Sequence, residues 1–186
     1  MQTNLPELLA RADKADPDAA DELFALLYGE LRRLAERHLQ RGGGGLTLGT
    51  TTLVHDAYLS MVGRQQATFP DRARFFAYAS RAMRGLVIDY ARRRQAKKRG
   101  REFEITLVED EVSNPDEPAG QDLATLNDAL GQLAMVDPEL AELVDLHFFG
   151  GFAFGEIAEM RNVSERTVQR DWKKARLFLH QALREG

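Results

Sequence analysis

The chain has 186 residues, 44% of them hydrophobic, enough for one or two packed domains. It has no cysteine, which excludes structural disulfides and thiolate metal sites. The net charge of −4 averages over separated blocks: eleven Arg and Lys between Arg72 and Arg101 face only Asp89, and Glu102 to Asp122 holds eight acids and no base.

The N-terminus has no basic region followed by an apolar run, and no apolar stretch approaches a membrane span. A cytoplasmic location with no membrane partner is therefore expected. Leu23, Leu26, Leu27, Leu31 and Leu34 recur at helical spacing, and Asp16-Pro17 suits the start of that helix. Gly42 to Gly45 ends the segment as a flexible joint. No Lys-Ser or Lys-Thr follows these glycines, so the phosphate-gripping lysine of a P-loop is missing. A helix is predicted from about Thr50 to Val62, then Pro70-Asp71 punctuates before a long helix from about Ala73 to Arg94.

Residues from roughly Gln95 to Gln121 include Pro115, Pro118 and most of the acid, and read as a linker with a short strand over Phe103 to Val108. A second domain begins near Asp122, where Leu123, Leu126, Leu130 and Leu133 keep helical spacing. Asp137-Pro138 opens the next helix, which ends near Gly150-Gly151. No internal repeat is present. The expected fold is all-α: two small helical domains, 1–95 and 122–186, joined by an acidic linker over 96–121, with a helix-turn-helix in the second domain.

The long helix interleaves aromatic and basic residues. Phe76, Met83 and Tyr90 lie seven apart, as do Arg74 and Arg81, so the two stripes run side by side. Aromatic platforms beside guanidinium groups suit unstacked bases and phosphates. The alternative is that Phe75, Phe76, Leu86, Val87 and Ile88 are core. The cluster from Arg92 to Arg101 repels itself unless a polyanion screens it.

Residues from Phe152 to Arg176 read as two short helices with a tight turn, the pattern of a helix-turn-helix whose second helix enters the DNA major groove. Ile157 and small Ala158 face inward, Val163 is the apolar residue of the turn, and Ser164 is a good N-cap. Val168, Trp172, Ala175 and Leu179 make one apolar face. Arg166, Gln169, Arg170 and Lys173 occupy the opposite one, with Lys174 and Arg176 at its flank. Arg and Gln can read base edges bidentately, while Lys more often holds phosphate.

Catalysis has little support. His38, His55, His147 and His180 show no metal-ligand spacing, and nothing resembles a nucleophile motif. His55 and Asp56 are neighbours in a predicted helix, so they point to different faces and form no relay. No enzyme activity, cofactor or metal is expected.

Three segments in this order carry a resemblance: Leu53 to Tyr58, Phe75 to Arg94, and the C-terminal pair in which Glu156-Ile-Ala-Glu159 precedes Ser164-x-x-Thr167-Val168. Together they resemble an extracytoplasmic-function sigma factor of bacterial RNA polymerase over roughly Pro17 to Leu183. The resemblance implies that the first domain docks on the clamp of the polymerase's largest subunit through Thr52, His55, Asp56 and Tyr58. It implies a −10 promoter surface at Phe76, Tyr78, Arg81, Arg84, Arg92, Arg93 and Arg94. It implies a −35 surface at Ser164, Arg166, Thr167, Gln169, Arg170, Lys173 and Lys174, and an acidic linker running through the polymerase toward the RNA exit path. Gly85 replaces the usual asparagine of the base pocket.

A larger departure is in the clamp-binding helix. Gly49-Thr50-Thr51-Thr52 stands where the family has an acidic Asp-Ala-Glu-Asp run, with Thr51 in place of the glutamate. A phosphate here would add about −1.5 to −2 charges. Thr51 and Thr52 are accordingly expected acceptors for a serine/threonine kinase. Two other readings stand beside the sigma factor: a free-standing helix-turn-helix regulator that binds an operator without polymerase, and a helical adaptor with no nucleic-acid role.

Overall fold

The computed structural model describes residues 4–14, 16–41, 48–62, 69, 71–105 and 119–185, and every regular element among them is helical. The elements are α1 (Leu5–Asp13), α2 (Pro17–Arg41), α3 (Thr50–Val62), α4 (Arg72–Ile105), α5 (Ala119–Val136), α6 (Pro138–Val144), a π turn (Asp145–Phe149), α7 (Phe154–Arg161) and α8 (Glu165–Glu185).

The leucine stripe of α2 is as its spacing predicts at Leu23, Leu27, Leu31 and Leu34, all buried. Leu26 differs, at 52% exposed, because it lies roughly 90° round the helix from the centre of that stripe. α1 is an element that the sequence reading did not include. Proline in its first turn and Glu7 near its start suit a helix beginning there, and Leu8, Leu9 and Ala12 bury its inner face. Asp71 caps α4 by accepting from the Arg74 N–H at 2.7 Å.

α4 runs past Arg94 to Ile105, so the first part of the expected linker is helical. The added residues are mostly Lys, Arg, Gln, Glu and Ala, all good helix formers. The switch from basic to acidic charge at Glu102 reads as a boundary in sequence, but a change of charge does not end a helix. Residues 103–105 of the expected strand are therefore helical, and 106–108 lie outside the described residues, as do the Gly42 to Gly45 run and most of the acidic block.

Asp137 caps α6, accepting from the Leu140 N–H at 3.2 Å, with proline in the first turn. The helix then widens into the π turn and stops at Gly150, after which Gly151 takes φ 69°. That left-handed backbone favours glycine. A methyl group at Gly151 would also overlap the Arg37 guanidinium of α2.

α3 packs on α2 and α4, α5 and α6 pack on α8, and α4 also packs on α5, α6, the π turn and α7. Buried residues therefore form a single cluster that includes Leu34, Phe76 and Met83 together with Leu130, Leu146, Phe149 and Ile157. The helices on either side of the acidic block share one core. No described helix is long and apolar enough to cross a membrane.

Candidate nucleic-acid interface

The C-terminal unit is built as its sequence suggests. α7 buries Ile157 and Ala158, and the Glu156 carboxylate accepts from the Ala153 N–H at 2.8 Å at its start. Asn162 ends α7 in the left-handed region at φ 54°, a conformation asparagine tolerates better than other non-glycine residues. The Val163 N–H then donates to the Ala158 carbonyl at 3.0 Å, closing the turn. Ser164 caps α8: its Oγ accepts from the Thr167 N–H at 3.2 Å and lies 2.9 Å from Thr167 Oγ1.

Val168, Ala175 and Leu179 are buried on the inner face of α8. Trp172 is half-buried, its ring 4.7 Å from His147 and 6.1 Å from Phe154. His147 is held in turn by the Phe152 carbonyl, 2.8 Å from its Nδ1. Trp172 is thus a packing residue that fixes α8 in place. On the outer face Ser164, Arg166, Gln169, Arg170, Lys173 and Lys174 are exposed and Thr167 is half-buried. Arg166 lies three and four residues before Gln169 and Arg170, and Lys173 the same distances after them, so the four share one side of the helix. Their local partners are weak and open to solvent: Gln169 reaches Glu165 at 3.4 Å and Arg170 reaches Asp171 at 3.5 Å.

Beside this face lies an apolar groove of about 610 Å³, lined by Leu126, Phe148, Trp172, Leu177 and Leu183 among others. Leu177 is 71% exposed. The sequence reading did not pick out this groove. Leu183 borders the buried face of α8, while Leu177 lies on the opposite side of the helix, where an exposed leucine is the one sequence signal of the groove.

The residues assigned to the α4 surface divide. Arg81, Arg92 and Arg93 are exposed, Arg94 and Tyr78 half-buried. Tyr78 packs edge-on to Phe69 at 5.4 Å. Phe76 and Arg84 lie elsewhere than a DNA-facing surface requires, at 0% and 5% exposure. The Phe76 ring meets Phe75 at 5.4 Å and Phe152 at 5.3 Å, so in this arrangement it is core and offers no stacking platform. Arg84 pairs with the Asp145 carboxylate, and its Nε donates to Asn127 Oδ1 at 2.9 Å. The helices of the second half cover both.

Burial dominates this ion pair. It pushes the Asp145 carboxyl up to about 6 against the pull of Arg84 and Arg81, and it lowers the Arg84 guanidinium despite Asp145. An Asp whose folded pKa lies above its unfolded value of 3.8 stabilises the fold most below that value and loses the contribution as pH rises through 6. Asp145→Asn removes this titration. Wild type is therefore expected to lose about 2 kcal/mol relative to Asp145→Asn between about pH 4 and pH 7, measured by urea unfolding at each pH.

On α3, Thr51, Thr52 and His55 are exposed, and Thr50, Asp56 and Tyr58 are half-buried. Tyr58 is held by Phe24, ring centroids 4.3 Å apart. Leu53, Val54, Ala57 and Met61 form the buried face. Leu59, 55% exposed and four residues after His55, extends the outward face and was missing from the sequence assignment. Among the described residues no group of His, Asp and Glu is placed to hold a metal ion.

This all-helical protein carries a basic outer face on α8, exposed arginines on α4, and an apolar groove beside the basic face that Lys173 also lines. A family model described as ECF sigma factor matches residues 2–185, and the chain belongs to that family. ECF sigma factors are non-enzymatic initiation factors that bind core RNA polymerase and promoter DNA, and that sigma-factor role is this chain's. No curated protein matches the chain.

Proposed function

We propose that the two surfaces read the two promoter elements. The α8 face with Ser164, Arg166, Thr167, Gln169, Arg170, Lys173 and Lys174 meets the −35 element, and α4 with Tyr78, Arg81, Arg84, Arg92, Arg93 and Arg94 meets the −10 element. Phe76 and Arg84 join the −10 surface only when the helices that cover them move away. Residues 1–95 and 122–186 act as the two functional units, with the acidic segment between them following the polymerase. The protein works in the cytoplasm, where core polymerase is. The observation that supports this most is the capped α8 helix, whose inner face is fixed by packing while its outer face holds four unburied recognition side chains. A pull-down with core RNA polymerase separates it from a free-standing operator-binding regulator, which would bind DNA alone and leave polymerase behind.

The clamp contact is made by α3 through Thr52, His55, Asp56, Tyr58 and the adjoining Leu59. Its start carries no acid: Thr51 and Thr52 are exposed in the first turn. A helix N-terminus favours an anion through its free N–H groups and dipole. A serine/threonine kinase therefore supplies the missing charge, with Thr51 the first acceptor and Thr52 the second. Transcription from a target promoter without kinase is expected to rise about tenfold for Thr51→Glu over wild type and Thr51→Ala, the ratio for about 1.4 kcal/mol of added clamp affinity. Equal output from all three would end the switch proposal.

A further inference from the structure

Away from the groove beside α8, a cleft of about 410 Å³ opens between α4, α5 and α6. Each helix gives it one stripe at helical spacing: α4 from Arg74 to Gly85, α5 from Asn127 to Ala134, and α6 with the π turn from Pro138 to Asp145. Small-molecule pockets span about 300–1,000 Å³ and are common between the helices of bundles.

The cleft is open because two of its positions carry no side chain. Gly85 on α4 and Gly131 on α5 both line it, and a methyl group added at either would meet nothing within 4 Å. Neither has a positive φ, so no turn and no close approach of another element requires glycine there. Glycine inside a helix is less stable than alanine, and the two together keep a space that side chains would otherwise fill.

The hydrogen-bonding capacity left over in the cleft is that of donors. The Asp145 carboxylate is engaged by Arg84, and Glu142 lies between Arg74 at 3.9 Å and Arg161 at 3.8 Å. Arg81 is exposed and has no carboxylate partner among the described residues. Tyr78 lines the same wall, and its hydroxyl is buried without a hydrogen-bond partner among them. Arg74 and Arg81 stand two turns apart on one side of α4, and a guanidinium fork matches the oxygens of a phosphate. The wall from α5 and α6 is apolar at Leu130, Ala134 and Pro138, which suits a flat ring.

The geometry points to a binding site for a small phosphorylated ligand of mononucleotide size. Arg81 and Arg74 hold its phosphate, and its ring lies against Leu130, Ala134 and Pro138 in the space left by Gly85 and Gly131. The site uses neither the outer face of α8 nor the clamp contact of α3. A bound ligand occupies Arg81, so it competes with any nucleic acid that uses the same arginine.

The test is isothermal titration calorimetry of the full chain with each 5′-ribonucleoside monophosphate, the matching nucleosides and inorganic phosphate being separate arms. At least one monophosphate is expected to bind one to one, at least about tenfold tighter than its nucleoside and than inorganic phosphate. Gly131→Leu fills the cleft and favours the helix, so it weakens that binding at least about tenfold while the unfolding temperature stays level or rises. Arg81→Gln brings the monophosphate down to the affinity of its nucleoside, and decides the matter if Gly131→Leu lowers the unfolding temperature. No binding by any monophosphate overturns the inference, as does equal binding of nucleoside or inorganic phosphate. Binding that Gly131→Leu, stably folded, leaves within about twofold of wild type also overturns it, because the phosphate is then held by exposed arginines outside the cleft.

Discussion

Phe149→Ala is expected to cost about 3–5 kcal/mol of folding stability, the largest effect of any single substitution considered. Phe149 is fully buried at the end of the π turn. Its ring stacks on His38 of α2, meets Phe148 edge-on at 5.0 Å, and lies under the Arg84 guanidinium of α4. Truncation removes apolar area from the middle of the shared core and leaves a cavity bounded by three helices, which cannot all relax into it. It also strips one side of the Arg84 environment and opens a buried charge to poor solvation. The urea midpoint should fall with little change in slope. A loss below about 1 kcal/mol would mean that the two halves are not packed through this residue.

The second large effect is on promoter use. Replacing Arg166, Arg170 and Lys173 with alanine together should reduce transcription from a cognate promoter at least about a hundredfold, since each base contact is worth about 1–3 kcal/mol. These side chains are exposed, and the packing of α8 relies on Val168, Trp172, Ala175 and Leu179 on its other side. Stability and binding to core polymerase should therefore stay at wild-type levels. The salt dependence of promoter binding should flatten as phosphate contacts are lost. Transcription within twofold of wild type would remove α8 as the −35 reader.

The helical fold was legible because it is written in local signals. Leucine spacing marks α2, Asp71 and Asp137 mark helix starts, and Ser164 marks the start of α8 with its cap in place. The outward face of α8 was equally legible, because a helix of fixed inner face leaves little choice for the rest. The placement of Phe76 and Arg84 was not. Whether an aromatic or an arginine on a long helix faces solvent or another helix depends on partners far away in sequence. Here those partners are Asn127, Asp145 and Phe152. An arginine also reads as a surface residue by default, since buried charges are rare unless paired. The pairing acid lies in a π turn that no residue pattern announced. Leu59 needed no distant partner to be placed: helical spacing sets it opposite Leu53, Val54, Ala57 and Met61, the side of α3 that packs on α2 and α4.

The most direct test of the sigma-factor account is reconstituted transcription. The purified chain is added to core RNA polymerase with fragmented DNA of its own genome, and transcript 5′ ends are mapped. The account predicts discrete start sites that need the chain, share −35 and −10 elements, and vanish when Arg166, Arg170 and Lys173 are replaced. Start sites unchanged by adding the chain, under conditions where Thr51→Glu also adds none, would contradict it.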